Sequence, residues 1–104
     1  ALAQQPRLFV MDEPTASLDL GNQARVLRVI RDLAADGMTI LVTTHQPEHA
    51  FLLGARVVAL AGGRIAAAGA ARDVLCAKTL SEIYATPVDV VSRDGMPAAC
   101  VPRL

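Results

Sequence analysis

The chain has 104 residues, enough for about one small domain, and its ten basic and ten acidic side chains cancel at neutral pH, so charge gives no basis for nucleic acid or an anionic membrane as a partner. Apolar residues make up 53% of it, yet only two Phe and one Tyr are aromatic, so a packed interior must be assembled from Val, Leu, Ile and Ala. The longest apolar runs fall far short of the roughly 20 residues that a spanning helix needs, and no secretory leader pattern is read, so a soluble piece is expected.

In chain order, Leu8-Phe9-Val10-Met11 is an apolar run bounded by Pro6 and Pro14, the pattern of a strand buried on both faces of a parallel sheet. Asp12 and Glu13 come next, at its carboxyl end. Across residues 22–36, Val26, Leu27, Ile30, Leu33 and Ala34 recur at helical spacing, with Asp19 placed to cap the start and Gly37 to stop the end. Residues 38–43 are apolar or β-branched and predict a second buried parallel strand, reached by a right-handed crossover, with His45 just beyond it. Pro47-Glu48 opens a short helix that Gly54 closes. Residues 56–60 and 64–69, joined through Gly62-Gly63, predict a hairpin, and residues 71–75 and 79–84 two short helices. From Thr86 onward, Val88, Val90 and Val91 predict a further extended piece. Cys76 and Cys100 lack ligand-like neighbours and are read as reduced thiols, a single disulfide being the lesser alternative.

The adjacent acids carry the chemistry. Two neighbouring carboxylates repel, and each tends to take up a proton unless positive charge or hydrogen-bond donors stand close. A hydrated Mg²⁺ would supply that charge, and ligands of open α/β sheets gather beyond the carboxyl ends of the strands, where Asp12 and Glu13 lie. Side chains alternate along a strand, so the two acids are expected to face different ways and do different work, one toward a metal and one toward water. Taken alone, Asp12-Glu13-Pro14 fits a polar turn closing a strand equally well.

The residues downstream of the acids decide between a metal site and a polar turn. Phe9-Val10-Met11-Asp12-Glu13-Pro14-Thr15, then Ser17-Leu18-Asp19, then Thr43-Thr44-His45 resembles, in order and spacing, the Walker B motif, D-loop and H-loop of the ABC ATPases. The resemblance implies an α/β, partial P-loop NTPase fold: parallel strands with flanking helices, plus a C-terminal hairpin and short helices. It covers residues 1–104 as the C-terminal portion of an ABC ATPase domain, which is roughly twice this length. The phosphate-cradling G-x-x-x-x-G-K-[ST] is absent, since the first glycine is Gly21 and the single lysine is Lys78. The glutamine loop and the LSGGQ signature are absent too, and residues 1–6 look like the end of the helix that normally comes after that signature.

Residue by residue, the resemblance makes Asp12 the acid that holds Mg²⁺, mostly through water, and Glu13 the acid that polarises the attacking water. It makes His45 the histidine that touches the γ-phosphate, in both catalysis and nucleotide binding. Ser17 and Asp19 become D-loop residues at the nucleotide-bearing interface between two ATPase domains. ATP and Mg²⁺ are the implied cofactors. Pro14 and Thr15 shape the turn and Leu18 packs, while His49 is expected on a helix surface and Arg64 in solvent.

Leu80, Tyr84 and Val88 resemble the Leu-x-x-x-Tyr-x-x-x-Val region of bacterial importers of iron-siderophore, haem and cobalamin complexes. That implies an ATP-hydrolysing import subunit, cytoplasmic and peripheral on the inner face of the cell membrane. Its implied partners are a second ATPase subunit in a homodimer, transmembrane permease subunits and a periplasmic binding protein, with no nucleic acid. Two alternatives stand beside it. One is a non-catalytic remnant that self-associates; the other is a soluble ABC ATPase of DNA repair or translation, whose coiled-coil arms or basic extensions this sequence does not show.

Triphosphate binding in such a fold depends on backbone N–H groups and a lysine that offset phosphate charge, and without them Asp12 and Glu13 repel the nucleotide. The 104-residue chain is therefore expected to bind Mg-ATP weakly or not at all. Calorimetry is the check, and a dissociation constant in the micromolar range would contradict it.

Overall fold

The computed structural model describes residues 7–104, and the chain divides at His45 into two compact units. The expected end of a helix at residues 1–6 lies outside the described residues.

The first unit contains β1 (Leu8–Asp12), α1 (Leu20–Ala35) and β2 (Thr39–Thr43). β1 and β2 pair in parallel without a slip, from Leu8 opposite Thr39 to Asp12 opposite Thr43, and α1 is the crossover between them. The helix begins at Leu20, slightly ahead of the expected Asn22, because Asp19 caps it, its Oδ1 accepting the Asn22 N–H at 2.8 Å. It ends at Asp36, next to Gly37 at φ +91°, a left-handed conformation that favours glycine. α1 packs against β2 and buries Ile30.

The expectation that both strands are buried on both faces is corrected. Leu8, Val10 and Leu41 are 57%, 67% and 58% exposed, whereas Met11, Ile40 and Val42, on the opposite face, are half-buried. Among the described residues the unit has two strands and one helix, which is too little material to cover a sheet twice.

The second unit opens with α2 (Pro47–Leu53), started by Pro47 and closed by Gly54 at φ +60°. β3 (Arg56–Ala61) and β4 (Arg64–Ala70) form the expected antiparallel hairpin through Gly62-Gly63, both at positive φ as a tight primed turn requires. α3 (Ala71–Val74) and α4 (Ala77–Tyr84) come after it. The tail is more than an extended piece: β5 (Val88–Arg93) and β6 (Met96–Pro102) pair into a second hairpin, turned by Asp94-Gly95 with φ +53° and +77°. Ala50, Ala71, Leu75, Leu80 and Val88 form the core of this unit, with Phe51, Val57 and Val90 against it, an aliphatic interior as the composition demands.

His49 corrects a second expectation. His49 is buried, as is Ala50, rather than standing on a helix surface, and α2 packs against β6. Both cysteines are free thiols, as read from the sequence. Cys76 is exposed, whereas burial and the neighbouring Glu48 carboxylate push the Cys100 thiol up and keep it protonated. No helix among the described residues is long and apolar enough to cross a membrane.

The bare face of the β1–β2 pair and its unpaired strand edges set a prediction for the 104-residue chain. It is expected to self-associate in solution, and Val10→Lys with Leu41→Lys should shift it toward monomer. Light scattering reads this, and a monodisperse wild-type monomer would refute it.

Candidate functional site

The site is built by strand register. Because Asp12 is the partner of Thr43, both side chains stand on the same face at the carboxyl ends of adjacent parallel strands. There the Thr43 hydroxyl donates a short hydrogen bond to Asp12 Oδ1. The Glu13 N–H donates to the Thr43 carbonyl at 3.0 Å and to the Thr43 Oγ1 at 3.1 Å. One threonine therefore holds a carboxylate of one acid and the backbone of the next.

Glu13 leaves the strand at φ +45°, so its side chain is aimed by a turn and not by strand alternation. The turn runs from Glu13 to Leu18, closed by Ala16 N–H to the Glu13 carbonyl at 3.0 Å and Leu18 N–H to the Thr15 carbonyl at 3.2 Å. Thr15, inside it, is only 2% exposed. Ser17 is left-handed as well, at φ +63°, and two such non-glycine residues in one short turn store strain of roughly 1 kcal/mol or more each.

The turn delivers Glu13 Oε1 to His45 Nε2, with which it forms an ion-pair contact. The His45 side chain is 87% exposed and that of Glu13 37%, so the pair adds little to stability, about 0–1 kcal/mol at most. Its importance is where it puts the groups. Glu13 and His45 touch, while Asp12 is joined to the Glu13 backbone through Thr43.

Ser17 and Asp19 sit farther along the turn, and the Asp19 carboxylate is committed to the start of α1. Gln23 reinforces that corner, its side-chain amide donating to the Leu18 carbonyl at 3.1 Å. Among the described residues no three His, Cys, Asp or Glu side chains gather into a metal cage. A cation here would rest on the hard oxygens of Asp12 and on ligands brought by the molecule it accompanies, a pattern that suits Mg²⁺ on phosphates. Thr43 stands in the Thr43-Thr44-His45 motif, where the sequence alone assigns its hydroxyl no role. Its part in the site depends on the strand pairing, which sets its hydroxyl beside Asp12.

A family model described as "AAA domain, putative AbiEii toxin, Type IV TA system" matches residues 1–49. The hemin import ATP-binding protein HmuV of Thermobifida fusca is 43% identical over 98 residues, which is 92% of this chain and 34% of that protein. An uncharacterized ABC transporter ATP-binding protein of Haemophilus influenzae is 38% identical over 91 residues, 88% of this chain and 35% of that protein. The chain thus spans about a third of the length of the curated relatives it matches. A solved structure titled "An inward-facing conformation of a putative metal-chelate type ABC transporter" superposes with a TM-score of 0.83 at 27% identity, covering 94% of this chain and 40% of that one. The α/β architecture is accordingly that of a partial P-loop NTPase fold.

The cap on α1 gives a quantitative expectation. Asp19→Ala should cost about 1 kcal/mol of unfolding free energy, whereas Asp19→Asn or Asp19→Ser should cost a few tenths. Chemical denaturation followed by circular dichroism checks this, and an Ala variant as stable as wild type would remove the capping role.

Proposed function

We propose that this chain, a homologue over most of its length of the ATP-binding proteins of ABC transporters, contributes the Walker B, D-loop and H-loop of an ATP-binding and hydrolysing import subunit. The observation that supports it above all is the Glu13–His45 contact beside a Thr43 that ties Asp12 to the Glu13 backbone, at the carboxyl ends of two adjacent parallel strands.

In this reading Asp12 would hold Mg²⁺, with the Thr43 hydroxyl fixing one of its oxygens. The ion would neutralise charge on the β- and γ-phosphates. Glu13 accepts a proton from a water molecule as the water oxygen attacks the γ-phosphorus; the bond to the bridging oxygen breaks, and ADP and inorganic phosphate leave. His45 addresses a γ-phosphate oxygen. Ser17 and Asp19 line the interface with a second ATPase subunit.

The wider assignment rests on the relatives' names. Import of hemin or a similar iron complex is the reading they favour, with ATP and Mg²⁺ as cofactors. The partners are a second copy of the ATPase subunit and transmembrane permease subunits. The location is the cytoplasmic face of the cell membrane. No charge excess favours a soluble nucleic-acid ATPase.

Glu13→Gln in the complete subunit is the decisive variant. It should lower the hydrolysis rate by about 100-fold or more while ATP binding persists, because the amide keeps the shape and loses the proton acceptor. Steady-state phosphate release and nucleotide binding, measured side by side, read this out. Hydrolysis at the wild-type rate would overturn the role of Glu13.

A further inference from the structure

We propose that Thr43 is a positioning residue of this site, whose single hydroxyl sets the orientation of both acids at once; the proposal rests on Asp12 as the Mg²⁺ acid and Glu13 as the proton acceptor. A threonine hydroxyl has one proton. It is donated to Asp12 Oδ1, so the oxygen's lone pairs are left to accept, and one of them takes the Glu13 N–H at 3.1 Å. The donated bond stops the Asp12 carboxylate from rotating about its terminal torsion, which fixes the direction of the second oxygen, the one that would serve a cation. The accepted bond, together with the bond from the same N–H to the Thr43 carbonyl at 3.0 Å, pins the first residue of the left-handed turn that aims Glu13 at His45. A β-branched side chain in a strand has few χ1 choices, so threonine holds this hydroxyl more firmly than serine would.

These bonds lie on an exposed surface, where hydrogen bonds add little to stability. Groups that orient the ligand of a metal act differently, since their loss typically costs 10- to 100-fold in metal affinity or activity. Thr43→Val separates the two effects: it keeps the volume and the strand preference and deletes both the donor and the acceptor.

The test is made in the complete ATP-binding subunit, with Mg²⁺ as the titrated probe and hydrolysis, nucleotide binding in EDTA and thermal unfolding as readouts. Thr43→Val is expected to raise the Mg²⁺ concentration for half-maximal hydrolysis by about tenfold or more and to lower kcat. Metal-free nucleotide binding and the unfolding temperature should stay near wild type, and Thr43→Ser should recover most of the loss. Wild-type Mg²⁺ dependence and kcat in Thr43→Val would overturn the proposal. So would equal losses in Thr43→Ser and Thr43→Val, which would point to the methyl group and packing. If Thr43→Val does not fold, Thr43→Ser and Thr43→Cys decide: the proposal requires serine to act near wild type and cysteine, a poor donor and acceptor, to need markedly more Mg²⁺. Unimpaired hydrolysis in Asp12→Asn and Glu13→Gln would be a different failure, that of the roles assigned to the two acids themselves.

Discussion

The parallel pairing of β1 with β2 in a single register, Asp12 against Thr43, is the constraint on which the site depends. Side chains alternate with a period of two along a strand, so a slip of one residue would set Asp12 against Val42 or Thr44 and turn one of the partners to the other face. The hydroxyl would then miss the carboxylate. Glu13 would in turn lose the paired carbonyl and hydroxyl that receive its N–H, and the turn that carries its side chain to His45 would have no fixed starting point. Register in a half-covered sheet is set by its apolar pattern, and here the half-buried face of Met11, Ile40 and Val42 supplies it.

Electrostatic attraction is the lesser force in this arrangement. Both partners of the Glu13–His45 contact are substantially exposed, and water screens a pair of that kind to about 1 kcal/mol or less. Backbone geometry does the placing: a strand that ends at Asp12, a left-handed Glu13, a turn knitted by two main-chain bonds around a buried Thr15, and a left-handed Ser17 before the capped helix. The strain of the two left-handed residues has to be offset by neighbouring structure, and the Asp19 cap with the Gln23 amide beside it is the nearest source. The capping role of Asp19 leaves room for the D-loop role proposed for it, because a rigid helix start holds the turn that contains Ser17 in place.

Much of this could be read from the residues because the signals were local. The apolar run before Asp12, the Asp19 cap, Pro47 with Gly54, and Gly62-Gly63 each state their structure within a few positions, and each element formed where expected to within a few residues. The departures have non-local causes. Whether Leu8 and Val10 are buried depends on what lies over the sheet, and whether His49 is buried depends on tertiary packing around α2 that local spacing does not state. Asp94-Gly95 is a local hairpin signal, and it turns β5 into β6. Thr43 was hidden for another reason: its neighbour Asp12 is 31 positions distant in sequence, and only the pairing brings the two together.

The same alternation also limits how the sheet can be covered. Asp12 and Thr43 share their face of the strands with Leu8, Val10 and Leu41, the most exposed apolar side chains of β1 and β2. Burying those three removes apolar area from water at about 25 cal/mol per Å², which favours covering the whole face. Burying an acid without a compensating partner costs far more than that gain, by several kcal/mol. Any cover that stabilises this sheet therefore has to stop short of its carboxyl end, and the boundary between apolar and acidic positions, one residue wide between Val10 and Asp12, fixes where it must stop.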